Sequence, residues 1–205
     1  MKKVLIIMIL TLGLWGGYAS AQKSHDGHQG HGAYEQHGRR HRSPYLVTDN
    51  KVFFEGSVIK GATASSFSIL RDGYAKDAWT VYYRGIKVKG ATSNSFNVLG
   101  YGYARDTWNV YYNGVKIEGA SSDSFRVLSD WYAKDTWNVY YDGKKIQGAS
   151  ADSFKVLRDG YAKDTWNVYF DAVKITGASP DNFKVLRDGY ARDTWNTYYY
   201  GRKTD

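Results

Sequence analysis

The chain has 205 residues, a formal net charge of +8, no cysteine and an aromatic content of 17%. That length is enough for one domain with its own core, and the lack of cysteine excludes a fold supported by disulfides. No nucleic-acid partner is expected, because the basic residues are spread along the chain and do not cluster.

Residues 1–21 have the pattern of a secretory signal peptide. Two lysines precede an apolar run over residues 4–15, and a small-residue cleavage site, Ala-Ser-Ala, ends at Ala21. The run is too short to span a bilayer, so no transmembrane segment is expected after cleavage. An uncleaved membrane anchor is the alternative. The pattern predicts an exported protein, either periplasmic or secreted.

Residues 22–43 form a leader rich in histidine, glycine and arginine. Its polar composition predicts disorder. The spacing of its histidines also suggests weak binding of a divalent transition metal, and no other cofactor is expected. The histidines are His25, His28, His31, His37 and His41.

The remainder, residues 44–205, repeats one unit with a period of 29 residues. The repeat is marked by a tryptophan in five full copies, and a worn copy over residues 48–62 precedes them. These tryptophans are Trp79, Trp108, Trp137, Trp166 and Trp195. A fixed period of this length is typical of stacked supersecondary units in which each copy completes the core of its neighbour.

Each unit contains a strong β-hairpin signal. In the copy around Trp108, Asn113-Gly114 separates two alternating runs, which predicts a two-residue type I′ turn. Tyr111 then pairs with Lys116. Alternation predicts an inner face with Val110 and the tryptophan, and an outer face with the Tyr–Lys pair.

The outer Tyr–Lys pairs are the candidate binding surface, as an exposed aromatic ladder flanked by lysines. The alternative is that each tyrosine merely covers its lysine partner and shields the sheet. The tyrosines are Tyr82, Tyr111, Tyr140, Tyr169 and Tyr198, and the lysines are Lys87, Lys116, Lys145, Lys174 and Lys203.

The predicted fold is all-β, a solenoid-like open array of stacked hairpin repeats, with a small β-propeller as the alternative. The repeated string D-x-x-N-V-Y-Y-x-G-x-K-I-x-G-A, with Y-A-[KR]-D before it and F-x-V-L after it, resembles the DKNYY family of bacterial exported repeat proteins. Asp-Thr-Trp stands where that family has Asp-Lys-Asn. The resemblance implies fold and export, and no activity.

No catalytic residue is predicted, because the repeats contain neither cysteine nor histidine and their aspartates recur in every copy. The favoured function is an exported repeat protein whose repeated surface binds an envelope component or partner protein. Two alternatives are a periplasmic metal-binding protein acting through its leader and a module that binds glycan or cell wall.

Overall fold

The computed structural model describes residues 43–129 and 131–204, which form short antiparallel β-sheets throughout. The predicted signal peptide and the five histidines of the leader lie outside these residues. Six sheets, numbered here 1 to 6 in chain order, follow one another as simple meanders. The all-β repeat fold predicted from the sequence is confirmed.

Sheet 1 has three strands and every other sheet has four. The strands of sheets 1 to 3 are β1 (Tyr45–Val47), β2 (Val52–Phe54), β3 (Ser57–Val58), β4 (Ser68–Ile69), β5 (Tyr74–Lys76), β6 (Val81–Tyr83), β7 (Ile86–Lys87), β8 (Asn97–Gly100), β9 (Tyr103–Arg105), β10 (Val110–Tyr112) and β11 (Val115–Lys116). The strands of sheets 4 to 6 are β12 (Arg126–Ser129), β13 (Tyr132–Lys134), β14 (Val139–Tyr141), β15 (Lys144–Lys145), β16 (Lys155–Val156), β17 (Tyr161–Lys163), β18 (Val168–Phe170), β19 (Val173–Lys174), β20 (Lys184–Val185), β21 (Tyr190–Arg192), β22 (Thr197–Tyr199) and β23 (Arg202–Lys203).

Helical structure in the described residues is limited to two 3-10 turns, η1 (Ala64–Ser66) and η2 (Ser93–Ser95). The N-cap residues of these turns, Thr63 and Thr92, make no side-chain cap hydrogen bond. The backbone N–H of Thr92, which precedes η2, donates instead to Asp106 of the next sheet. Within the described ranges, no helix has the length and apolar character needed to cross a membrane.

The predicted hairpin register is confirmed. Tyr111 pairs with Lys116 and Tyr112 pairs with Val115 across β10 and β11. The two turn residues, Asn113 and Gly114, have φ values of 48° and 78°. A type I′ turn needs positive φ at both positions, which is why the Asn-Gly signal identified it.

Each interior sheet is buried on both of its faces. One face of sheet 3 presents Tyr103 and Val110 to Tyr140 of sheet 4, with Phe125 between them. The opposite face of sheet 3 presents Tyr111 to Tyr74 of sheet 2. Successive sheets therefore stack face to face, and each copy completes its neighbour's core as predicted.

Tyrosine hydroxyls join neighbouring sheets as well as filling the space between them. The Tyr103 hydroxyl donates to the carbonyl of Trp131 at 2.8 Å and accepts from the N–H of Gly143 at 3.0 Å. Both partners lie in turns of sheet 4. A buried tyrosine hydroxyl needs such hydrogen-bond partners. Directional hydrogen bonds therefore hold neighbouring sheets in position, in addition to apolar contacts.

The stack is open at its ends. Leu46 in sheet 1 is 60% exposed, and Tyr190 in sheet 6 is 43% exposed, although its equivalents in the interior sheets are fully buried. A closed propeller would cover the outward face of one end sheet with that of the other. The exposed end faces favour the predicted open array over the propeller alternative.

Candidate ligand-binding surface

The predicted Tyr–Lys ladder is not an exposed surface. Its five tyrosines, which are Tyr82, Tyr111, Tyr140, Tyr169 and Tyr198, are all at most 1% exposed. The alternation argument was right that Val110 and Tyr111 face opposite sides of the sheet. It was wrong that one side faces solvent, because stacking gives each interior sheet a neighbour on both sides.

The lysines of these pairs remain exposed on the last strand of each sheet. Their pairing with the tyrosines is confirmed at every copy, but only the lysines reach solvent. They are Lys87, Lys116, Lys145, Lys174 and Lys203. Lys116 forms a 3.3 Å ion pair with Glu118. Without the tyrosine rings, these lysines do not form the predicted aromatic surface.

The tryptophans, which were predicted to lie in the core, are the most exposed aromatic residues of the described chain. Their exposed fractions lie between 75% and 84%. They are Trp79, Trp108, Trp137, Trp166 and Trp195, called here the tryptophan row. Each lies in the four-residue turn between the second and third strands of its sheet. Strand alternation does not extend into that turn, so it placed the tryptophans on the wrong side.

An aspartate fixes the conformation of each of these turns. Oδ1 of Asp135 accepts hydrogen bonds from the N–H groups of Trp137 and Asn138, at 2.8 and 2.7 Å. Oδ2 accepts from the N–H of Ser121 and the hydroxyl of Tyr140, at 3.0 and 2.9 Å. The carboxylate thus joins the tryptophan turn to a buried tyrosine and to the loop before sheet 4.

The turn has a further attachment to that preceding loop. The N–H of Thr136 donates to Oγ of Ser124 at 3.1 Å. Consecutive N–H groups from Thr136 to Asn138 are therefore all hydrogen-bonded, although the tryptophan side chain itself points into solvent. An exposed ring on a backbone that is already ordered loses little conformational entropy when it binds a ligand.

The ionisation of the aspartate follows from this environment. Burial raises the pKa of Asp135, but the hydrogen bonds from Ser121, Trp137, Asn138 and Tyr140 outweigh it, so that its pKa lies below the usual range. The same balance lowers the pKa of Asp193 to about 2. These carboxylates are therefore ionised acceptors at neutral pH.

The pKa values of the tyrosines that donate to these aspartates shift in the opposite direction. Burial, followed by the hydrogen bond to the Asp77 carboxylate, raises the pKa of Tyr82 to about 12. Burial and the hydrogen bond to the Asp193 carboxylate likewise raise the pKa of Tyr198 to about 12. A neutral phenol that donates to a carboxylate is thus the stable form of each pair across a wide range of pH.

Uncharged residues flank the tryptophan row in sequence. Thr136 is exposed and Asn138 is half-buried on the two sides of Trp137, and the neighbouring copies have the same pair. A basic residue stands three positions before each tryptophan, and in sheets 2 to 5 it donates to a backbone carbonyl of the loop before the next sheet. These basic residues are Lys76, Arg105, Lys134, Lys163 and Arg192. The row is therefore an aromatic surface whose immediate sequence neighbours are uncharged, with one basic residue per copy three positions before the ring.

The Asp-x-Trp spacing was the signal that could have located this surface. An aspartate commonly accepts a hydrogen bond from the N–H two residues later, which makes a turn and ends the strand.

The described repeats contain no candidate metal site. Within residues 43–129 and 131–204, no three histidine, cysteine or acidic side chains come together to hold a metal ion.

The stacked sheets and the tryptophan row define an all-β repeat protein with a periodic aromatic surface. The DKNYY family model matches residues 45–159 and 132–204, which together span the described repeats. The chain belongs to the DKNYY family. Searches among curated proteins and among solved structures returned no match.

Proposed function

We propose that this protein is an exported, non-catalytic repeat protein that binds a neutral polymeric glycan of the cell envelope through its tryptophan row. The observation that carries the proposal is the exposure of the same indole ring in all five full copies, at 75% to 84%. Exposing a large apolar ring to water is unfavourable. Repeating that exposure five times on fixed turns is typical of a binding surface.

A polymeric ligand fits the spacing of the row. Sheets packed face to face lie about 10 Å apart, so successive tryptophan turns recur at about that interval. An extended β-linked polysaccharide presents the same sugar face once in every disaccharide, which is a similar distance. Weak contacts that recur in step along one polymer combine into a much higher overall affinity.

The chemistry of the row favours sugar over nucleic acid. The apolar C–H face of a pyranose ring stacks on an indole, and the hydroxyls beside it can bond to groups such as Thr136 and Asn138. Single-stranded nucleic acid also stacks on aromatic rings, but it needs a continuous basic groove along its backbone. The immediate sequence neighbours of each tryptophan are uncharged. The basic residue three positions before it already donates to a backbone carbonyl in sheets 2 to 5.

The absence of catalysis is supported by the use made of the aspartates. Each periodic aspartate, such as Asp106, already accepts four hydrogen bonds, from Thr92, Trp108, Asn109 and Tyr111. Its oxygens are occupied by structural donors. A general acid or base needs an oxygen free to reach a substrate proton.

Binding to insoluble glycans tests the proposal. The protein is incubated with purified sacculi and with a neutral β-1,4-linked polymer such as chitin, and the bound fraction is measured by co-sedimentation. Changing Trp137 to Ala should weaken binding about 2- to 10-fold, as expected for the loss of one stacking contact. Changing Trp108, Trp137 and Trp166 together should abolish it.

Trp131 provides a matched control. This tryptophan is 49% exposed but lies in a different turn, at a position where Gly160 and Gly189 stand in later copies. Trp131→Gly should leave the bound fraction unchanged. If the triple variant binds both glycans as well as the unaltered protein does, the tryptophan row is not a glycan site.

The leader supports a second candidate function, binding of a divalent transition metal by its histidines. His25, His28 and His31 stand at every third position, with Asp26 beside the first. Deleting residues 22–42 should abolish Cu²⁺ or Ni²⁺ binding measured by titration calorimetry and leave glycan binding intact. Retention of stoichiometric metal binding after this deletion contradicts the leader as the site.

A further inference from the structure

The outward face of sheet 6 is an uncovered copy of a surface that is buried everywhere else in the array. Tyr190 is 43% exposed and Tyr199 is 44% exposed, and Leu186 beside them is 36% exposed. The equivalents of Tyr190 in sheets 2 to 5 are at most 2% exposed, because the next sheet covers them. Those equivalents are Tyr74, Tyr103, Tyr132 and Tyr161.

The outward face of sheet 1 is more apolar than the same face of the interior sheets. It has Leu46, Phe53 and Val58 at the positions that Ala104, Tyr111 and Lys116 occupy in sheet 3. Leu46 is 60% exposed and Val58 is 48% exposed. Terminal repeats that face water usually carry polar residues. An apolar outer face in this position points to a surface that becomes covered.

A turn glycine in sheet 1 supplies an empty place for a ring. A Cβ added at Gly114 or Gly143 would meet an aromatic side chain of the preceding sheet at 2.6 Å, that of Tyr83 or Tyr112 respectively. The equivalent in sheet 1, Gly56, has nothing within 4 Å of that point. The ring of sheet 6 that corresponds to Tyr83 and Tyr112 is Tyr199.

Sheet 1 also has an equivalent of the carbonyl that accepts a tyrosine hydroxyl at each interior interface. In the interior, the Tyr74 hydroxyl donates to the Gly102 carbonyl, which also accepts from the N–H of Asn113. In sheet 1 the equivalent carbonyl is that of Pro44, which accepts from the N–H of Glu55 at 2.9 Å. A carbonyl can accept two bonds, so Pro44 can also receive the hydroxyl of Tyr190 from another copy.

We propose that copies of this protein associate head to tail, with the outward face of sheet 6 packed on the outward face of sheet 1 of the next copy. The contact would be continuous with the interface that already joins each sheet to the next within the chain. It is heterologous, so it forms open chains of copies. The proposal does not depend on glycan binding, although such chains would lengthen the tryptophan row.

A charge placed on either face tests the association. Leu46→Arg and Tyr199→Arg each change an exposed side chain, so the fold should persist, and far-UV circular dichroism verifies it. Sedimentation velocity of the intact purified protein should show species that grow with concentration. Each variant alone should require about tenfold or more protein for half-association, because a charge is buried in the contact.

Mixing the two variants distinguishes the geometry. In a head-to-tail contact, Leu46→Arg retains an intact sheet 6 and Tyr199→Arg retains an intact sheet 1, so an equimolar mixture should form dimers and nothing larger. Val115→Arg is the matched control. Val115 is 70% exposed on an interior sheet, and changing it should leave association unaltered.

Three results would overturn the proposal. An unaltered protein that stays monomeric at all concentrations excludes self-association, and protection of residues 22–42 from proteolysis would then identify the leader as the cover of sheet 1. Loss of association in Leu46→Arg alone indicates contact between two copies of sheet 1. Loss in Tyr199→Arg alone indicates contact between two copies of sheet 6.

Discussion

A single carboxylate supports both the core and the candidate binding surface in each unit. Asp135 accepts bonds from the N–H groups behind an exposed tryptophan and from the hydroxyl of the buried Tyr140. It also accepts from Ser121, which lies in the loop before sheet 4. Because this residue is 2% exposed, water cannot replace the carboxylate without rearrangement of the turn.

Removal of that carboxylate should therefore be costly. Asp135→Ala leaves several buried donors without an acceptor and should lower the free energy of unfolding by about 2–4 kcal/mol. Urea denaturation measures the change. Asp123→Asn, at an exposed position, is the control and should stay within about 0.5 kcal/mol of the unaltered protein. Equal effects of the two changes would show that the aspartate bonds do not stabilise the array.

Truncation of Tyr140 should cost more stability than truncation of Trp137. Strand alternation alone would predict the reverse order, because it places the tryptophan in the core. Tyr140→Ala removes a ring that is 1% exposed and should cost about 3–5 kcal/mol. Trp137→Ala removes a ring that is 78% exposed and should change stability by about 0.5 kcal/mol or less. Chemical denaturation of both variants compares them directly. A larger cost for Trp137→Ala would contradict the faces described here.

The sequence was informative about which residues share a face and uninformative about which face is buried. Hairpin pairing of Tyr111 with Lys116 follows from the Asn-Gly turn alone. The burial of Tyr111 depends on a neighbouring sheet 29 residues away, which no local pattern within one unit contains. Trp108 was misplaced because the Asp106 side chain ends the strand before it, so alternation no longer applied.

At the scale of the secondary-structure element, the turn glycines of one repeat have separable roles: Gly143 lies in the hairpin turn between β14 and β15, and Gly148 lies in the turn after β15. Gly143 has a φ of 73°, and a Cβ there would meet the Tyr112 ring at 2.6 Å. Gly148 has a φ of 75°, but nothing lies within 4 Å of the same point. The first glycine meets both a backbone requirement and a packing requirement, and the second meets only the backbone requirement.

Alanine at these two glycines should therefore give different costs. Gly148→Ala should destabilise the fold by about 1–2 kcal/mol, the strain of a left-handed conformation. Gly143→Ala should add about 1–3 kcal/mol for displacing the Tyr112 ring. The thermal and urea unfolding of the two variants gives the difference. The chain itself has Ala172 at the equivalent turn position of sheet 5, with a φ of 64°. Equal destabilisation by the two variants would mean that the Tyr112 ring can move away from the turn without loss of stability.

The Asp–Tyr pairs predict a stability plateau with a loss at each end of the pH scale. Folding lowers the pKa of the aspartates, in Asp193 to about 2, so their contribution is complete above the unfolded value of 3.8 and is lost as the pH falls towards 2. Folding raises the pKa of the tyrosines, in Tyr198 to about 12. Their contribution is complete below 10.0 and is lost as the pH rises towards 12.

A pH series of urea unfolding curves tests this plateau. The unfolding free energy should be nearly constant in the middle range and should fall in both windows. Tyr140→Phe removes one phenol, so this variant should be less stable on the plateau and should lose less of that stability above pH 10. An unchanged alkaline slope in Tyr140→Phe would show that ionisation of this tyrosine is not linked to unfolding.

At the scale of the whole molecule, the exact 29-residue period predicted the stacking, because a sheet that matches its neighbour can be repeated without adjustment. The number of copies and their stacking were therefore accessible from the sequence, which left an open array and a closed propeller as alternatives. The fully buried interior sheets were not, since strands alternating valine with tyrosine resemble one-sided amphipathic strands.

Deletion of one complete period should shorten the array without unfolding it. Removing residues 132–160 joins Trp131 to Tyr161, so that β12 pairs with β17 in place of β13. The interior pairs Val127–Ala133 and Val156–Ala162 have the same register, and the new sheet reproduces it. The free energy of unfolding should fall by the intrinsic stability of one unit and the contribution of one interface between units. The circular dichroism spectrum per residue should be unchanged. Removing only residues 132–146 takes away three strands of one sheet and should abolish cooperative unfolding. If the complete-period deletion unfolds the protein while the partial deletion is tolerated, the units are not the interchangeable layers that the stack requires.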